Sequence, residues 1–137
     1  EYQKLQINDI IMSLTGNVAR ICKVSSKNCL LNQRVAKIEV KKEYDKDFVF
    51  YLLQTFKFSE YMKMYAQGAA QDNLSVKDIY RFQVYLPKTI EEQNAISKKL
   101  STYDLILKNE DKKLNLLKQQ RKALQQYLLN GIVRVER

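Results

Sequence analysis

The residue types able to do chemistry in this 137-residue chain are few. There is no histidine, so the commonest general base is missing and no Ser-His-Asp triad is available. Gly16, Gly68 and Gly131 stand far apart, so neither a GxxxxGK[ST] loop nor a GxGxxG turn exists to cradle a phosphate. The single proline, Pro87, follows Leu86, which excludes the Asn/Asp-Pro-Pro-aromatic motif of base amino-methylation. Cys22 and Cys29 are two thiols without a histidine, too few for a zinc site. They read as half-buried thiols in a reducing cytoplasm. The acidic pairs Asp45/Asp47 and Glu91/Glu92 suit helix N-termini, where the dipole favours negative charge. Catalysis by this chain alone is therefore not expected, nor is a cofactor or a metal.

What remains is a set of cations and amides suited to reading and holding a polyanion. Phosphates need cations or backbone N–H groups, and base edges need paired donors and acceptors. Three clusters supply them. The first is the turn Thr15-Gly16-Asn17 with Arg20 and Lys23, where glycine lets the backbone approach closely. The second is Asn32-Gln33-Arg34, whose amides match adenine and whose guanidinium matches guanine. The third runs from Gln67 to Ser75 and includes Gln71 and Asn73. Lys27, Lys37 and Lys77 are generic phosphate candidates. Each cluster also has a plainer reading. The first is a tight hairpin turn, and the amides of the second organise a loop by internal hydrogen bonds.

The charge supports the polyanion reading. The net charge is +9. Residues 1–42 carry eight Lys/Arg against three acids, residues 43–88 carry six of each, and residues 89–137 carry ten against six. Between Asp9 and Glu39 there is no acidic residue, while Arg20, Lys23, Lys27, Arg34 and Lys37 all lie there. A one-signed field over part of a fold attracts nucleic acid, although an ordinary excess for solubility has the same sign. No apolar run approaches 18 residues, so no membrane span is expected. The chain starts at Glu1 rather than Met, with no signal-peptide pattern, and reads as a fragment or a processed form.

The elements that must position these residues are short at first. Asn8-Asp9 marks a turn before the apolar run Ile10-Ile11-Met12 with Leu14, too short for a helix. VARICKV (18–24) alternates as a half-buried strand, and Val35, Ile38 and Val40 mark a third. Short connections favour an antiparallel meander. Asp47 caps an expected helix from Phe48 to about Phe58, and Ser59 a second helix that Gly68 ends. Ser75-Val-Lys-Asp78 has capping-box spacing. FQVYLP (82–87) reads as a last strand that Pro87 ends.

Residues 89–130 differ in kind. Thr89-Ile-Glu-Glu92 is a capping box, and no Gly or Pro follows before Gly131. Ile96, Leu100, Tyr103, Leu107, Leu114, Leu117, Leu124 and Leu128 form a heptad seam, interrupted by Glu110 and Arg121. The helix would be roughly 60 Å long, more than a small domain can cover. A long helix with one apolar seam needs a second long helix, from the other half of a longer subunit or from a homodimer mate. Glu110 and Arg121 meet across an antiparallel pair to fix register, or else snorkel at its edge. The fold class is α+β: a small recognition domain with an antiparallel sheet over 1–88, one long coiled-coil-forming helix over 89–130, and a tail over 131–137.

In this order, four stretches resemble the specificity subunit of type I restriction–modification systems. INDIIMSLTGNVARICKV is similar to the family's Gly-Asp-Ile strand–turn–strand, with Asn8 where Gly is usual. CLLNQRVAKIE is similar to its Asn-Gln-x-Val strand. GAAQDNLSVKDIYRFQVYLPKTIEEQNAI is similar to its junction, and LLNGIVRV to its closing motif. The resemblance covers essentially the whole chain. A recognition domain of the family has a further stretch before the first strand, so this chain looks like the later part of one such domain, and its ending like the C-terminal half. The resemblance implies double-stranded DNA as ligand, one half-site of a bipartite target per recognition domain, and two antiparallel helices that set the half-site distance. It implies docking to adenine-methyltransferase modification subunits, which use S-adenosylmethionine, and assembly with a motor–nuclease restriction subunit. It also favours loop organisation for Gln71 and Asn73, since domains with different targets share that motif. The rival readings are a coiled-coil scaffold with a small α/β cap that never touches DNA, and a methylating domain, which the missing motifs oppose.

Overall fold

The structure is a computed structural model that describes residues 3–67 and 74–135. Its elements are β1 (Ile10–Ser13), β2 (Ile21–Lys23), β3 (Val35–Ile38), α1 (Lys46–Leu53), α2 (Phe56–Gln67), α3 (Val76–Tyr80) and α4 (Ile90–Leu129). They form two compact units, Glu1–Ser97 and Lys98–Arg137. No helix among the described residues is long and apolar enough to cross a membrane. The architecture is α+β, as the sequence implies.

The sheet is antiparallel, but its order is β2-β1-β3 rather than that of a meander. β1 is central because it is the most apolar strand: Ile10 and Met12 are fully buried on one face. Ile11 pairs with Cys22 on one side and Lys37 on the other. Phe58 and Met62 of α2 are also fully buried and join Ile10, Met12, Val18 and Leu53 in one core. A buried Phe or Met side chain contributes roughly 1.5–3 kcal/mol. Cys29 is half-buried, but Cys22 is exposed, because it faces away from that core.

Several boundaries differ from the sequence reading. Asp45, not Asp47, caps α1, its carboxylate accepting from the Phe48 N–H at 2.7 Å. The helix stops at Leu53, and α2 begins at Phe56. Thr55 makes that break: its hydroxyl donates to the Leu52 carbonyl at 2.8 Å and accepts from the Phe58 N–H at 3.4 Å. Ser59 then lies inside α2. The capping box at Ser75 and Asp78 forms in full. Residues 82–87 form no strand. The Phe82 ring turns instead onto α2, edge-on to Phe58 and Tyr61 with both centroids 5.1 Å away, while Tyr85 is fully exposed. The alternation in FQVYLP reflects one aromatic anchor, not a sheet face. The end of α2 expected at Gly68 lies outside the described residues.

Candidate nucleic-acid interface

The end of β1 is where the candidate clusters meet. The Ser13 N–H donates to the Arg20 carbonyl, and the Ala19 N–H to the Ser13 carbonyl, both at 3.0 Å. The Ser13 hydroxyl donates to the Asn17 carbonyl at 2.5 Å and accepts from the Arg20 N–H at 3.0 Å. One residue later, the Leu14 N–H donates to the Arg34 carbonyl, and the Leu14 carbonyl accepts from the Leu74 N–H, both at 2.9 Å. Two adjacent residues thus tie down the Thr15–Arg20 turn, the Asn32–Arg34 loop and the described end of the third segment. The turn needs left-handed backbone twice, at Gly16 (φ 68°) and at Ala19 (φ 60°). Glycine adopts this freely, whereas alanine does so at a cost that the surrounding bonds and the burial of Ala19 must offset.

The side chains sort into free and committed groups. Arg20, Arg34 and Lys77 are exposed, and their cationic ends have no partner among the described residues. Thr15, Asn17 and Gln33 lie at the surface of the same loops, and Gln33 also lines an open cleft of about 590 Å³ along β3 and α3 with Lys37, Ile79 and Tyr80. Asn32 is exposed, but its side-chain oxygen accepts from the Arg34 N–H at 2.9 Å, so that amide shapes the loop. Two lysines are engaged internally. Lys23 pairs with Asp47 at 2.7 Å and sits 4.3 Å above the Phe50 ring. Lys37 pairs with Asp9 at 3.0 Å. Lys27 is exposed on the loop after β2. Gln71 and Asn73 lie outside the described residues, as does the side chain of Gln67.

Asp9 is the residue that sequence reasoning passed over as a turn former. Only 6% exposed, its carboxylate accepts from the Gln6 N–H at 2.9 Å and faces Lys37 at 3.0 Å and Lys46 at 3.7 Å. The Gln6 hydrogen bond, with Lys37 and Lys46 behind it, holds its carboxyl below the usual carboxylate range against the opposing effect of burial. It joins the start of β1 to β3 and α1. Its sequence signals are the Asn8-Asp9 turn, its match to the Asp of the Gly-Asp-Ile stretch, and its place as the last acid before the acid-free segment. Among the described residues no group of three or more acidic or cysteine side chains could hold a metal ion.

The second unit presents the helix seam. Leu100, Tyr103, Leu107, Leu114, Leu117 and Leu124 are exposed along α4, and Leu128 is half-buried; Ile96 belongs to the first unit and is half-buried there. Leu105, Leu116 and Tyr127, spaced by eleven residues, are also exposed. Eleven residues are three turns plus about 20°, so they make a second apolar line away from the seam.

The family model for the type I restriction modification DNA specificity domain matches residues 2–119. Two curated relatives come from Methanocaldococcus jannaschii. The type I restriction enzyme MjaVIII specificity subunit is 27% identical over 139 residues, covering 96% of this chain and 32% of the relative. The putative type I restriction enzyme MjaX specificity subunit is 31% identical over 130 residues, covering 93% of this chain and 29% of the relative. The chain thus spans about a third of the length of the curated relatives it matches.

Proposed function

Since the chain belongs to the type I restriction modification DNA specificity domain family, we propose that it reads one half of a bipartite double-stranded DNA target. The observation that carries this reading is the convergence at Ser13-Leu14 of two loops bearing Arg20 and Arg34, both without a partner among the described residues, within a segment free of acids. Each guanidinium is free to take a guanine edge or a phosphate in bidentate fashion. Thr15, Asn17 and Gln33 add donors and acceptors beside them. Through the α4 seam the chain pairs with a second long helix, and the line Leu105, Leu116, Tyr127 gives a further face for adenine-methyltransferase modification subunits. A motor–nuclease subunit joins through that complex. This chain supplies recognition and spacing, and the other subunits supply the chemistry, in the cytoplasm where the DNA is.

The test is a salt titration of DNA binding by the intact specificity subunit carrying Arg20→Ala or Arg34→Ala. A lost base contact weakens binding by about 1–3 kcal/mol at the cognate site. A lost phosphate contact lowers the slope of log K against log salt by about 0.9. Unchanged affinity for both variants at moderate salt refutes this face. It would leave the exposed seam as the surviving feature, and with it a coiled-coil scaffold that does not read DNA.

A further inference from the structure

The last turn of α4 closes around one dipeptide, Asn130-Gly131, wholly within the second compact unit. The Gly131 N–H donates to the Leu128 carbonyl at 3.2 Å, and the Ile132 N–H to the Tyr127 carbonyl at 3.0 Å. With Gly131 at φ 70°, these are the two bonds of a Schellman motif, in which glycine takes the left-handed position after the helix. The Val133 N–H donates to the same Tyr127 carbonyl at 3.2 Å. Of the nine asparagines in the chain, only Asn130 is followed by glycine. Asn130 is exposed, and its side-chain amide has no partner among the described residues. Apart from the chain neighbours, no atom lies within 4 Å of where a Cβ on Gly131 would stand, so water reaches the dipeptide. Leu129, Ile132 and Val133 around it are exposed as well.

An asparagine carboxamide is an electrophile placed one ring closure from the next backbone nitrogen, and intramolecular attack gains from that proximity. A side chain on the following residue crowds the attacking nitrogen, and glycine has none. We infer that Asn130-Gly131 is a self-modification site gated by the cap of α4. In the closed cap the Gly131 N–H is engaged with Leu128. Helix ends open far more readily than the whole fold. In the open form the Gly131 nitrogen loses its proton to hydroxide and bonds to Asn130 Cγ. The Cγ–Nδ2 bond breaks, the nitrogen takes a proton from water, and ammonia leaves a cyclic imide behind. One water then opens the imide at either carbonyl, giving aspartate or isoaspartate, with nothing oxidised or reduced. Either product sets a negative charge at the negative end of the α4 dipole. Isoaspartate also routes the main chain through Cγ and adds a methylene before Gly131, so the two Schellman bonds cannot both be kept. The turn bearing Tyr127 and Leu128 then unwinds. The inference stands apart from the DNA-reading role.

The experiment incubates the full chain at neutral and at mildly alkaline pH, with and without urea. Peptides spanning each asparagine are followed by mass spectrometry, and their aspartyl and isoaspartyl forms are separated by chromatography. In native buffer Asn130 is expected to convert at least tenfold faster than any other asparagine, and faster at the higher pH. In urea, where the cap is open, its conversion is expected to be several-fold faster again. Circular dichroism of the converted chain is expected to show a loss of about one helical turn. Asn130→Gln keeps the amide and the Gly131 cap but closes a larger ring far more slowly, and should hold its helical signal over the same incubation. Conversion of Asn130 no faster than that of the other asparagines in native buffer overturns the site. A rate that urea leaves unchanged overturns the gate, and an undiminished helical signal in the converted chain overturns the unwinding.

Discussion

Replacing Asp9 by asparagine removes a charge while keeping the shape and one acceptor. The Gln6 N–H retains an oxygen to donate to, but it becomes neutral, and that charge-assisted bond weakens by about 1 kcal/mol. Lys37, only 19% exposed along its side chain, loses its partner at 3.0 Å. It is not stranded, because Glu39 lies 3.8 Å away and is exposed, so the loss is about 1 kcal/mol rather than the full cost of an orphaned buried charge. Lys46 is nearly half exposed at 3.7 Å and adds at most about 0.5 kcal/mol. The total is about 2–2.5 kcal/mol, equal to a fall in urea midpoint of about 1–2 M at a typical slope. Tyrosine fluorescence can follow it, since the chain has nine Tyr and no Trp. The pH dependence supplies a second check. The folded carboxyl titrates below its unfolded value of about 3.9, so its stabilisation is complete well above that value and is lost as pH falls through the lower folded pKa. The gap between wild type and Asp9→Asn is therefore widest near neutrality and closes toward pH 2. Equal midpoints at pH 7, or a gap that persists unchanged into strong acid, would refute the reasoning.

Other expectations follow from the same geometry. Ser13→Ala removes two hydrogen bonds at the surface and should lower stability by about 1 kcal/mol, with a larger loss in DNA affinity because the Asn17–Arg20 turn loosens. Ser13→Thr keeps the hydroxyl and should recover both; gel shifts beside urea melts separate the two effects. Leu107→Lys or Leu117→Lys places a charge in the exposed seam of α4 and should abolish helix pairing, read by sizing chromatography. A wild-type elution profile after either change would remove the seam from the argument.

The sequence was informative where one local pattern decides structure. The heptad row and the absence of glycine set α4, and the spacing of Ser75 and Asp78 set a capping box that forms in full. It was less informative where distant residues compete. Asp45 and Asp47 are both good caps; the choice falls on Asp45 because Lys23 draws Asp47 aside into a pair. FQVYLP alternates like a strand, but α2 offers Phe82 two aromatic rings. In the candidate interface, the loops were legible as polar breaks between apolar runs. Their shared attachment to Ser13-Leu14 was not, because main-chain bonds leave no mark on residue type. Lys23 and Lys37 likewise carry the same formal charge as Arg20 and Arg34, yet of these four only the arginines are without a partner among the described residues.

That attachment has a consequence for how such a surface can change. Of the bonds that hold the loops at the end of β1, those from Leu14 run entirely between backbone groups. Backbone groups are common to all residues but proline, so Thr15, Asn17, Gln33 and Arg34 can be exchanged without removing the bonds that place them. Ser13 and Asn32 are exceptions, since the Ser13 hydroxyl and the Asn32 side-chain oxygen belong to the frame. On the DNA-reading role proposed above, the chain separates a few positions that must be kept from several that are open to variation, and a new target preference can be acquired by substitution at the open positions alone.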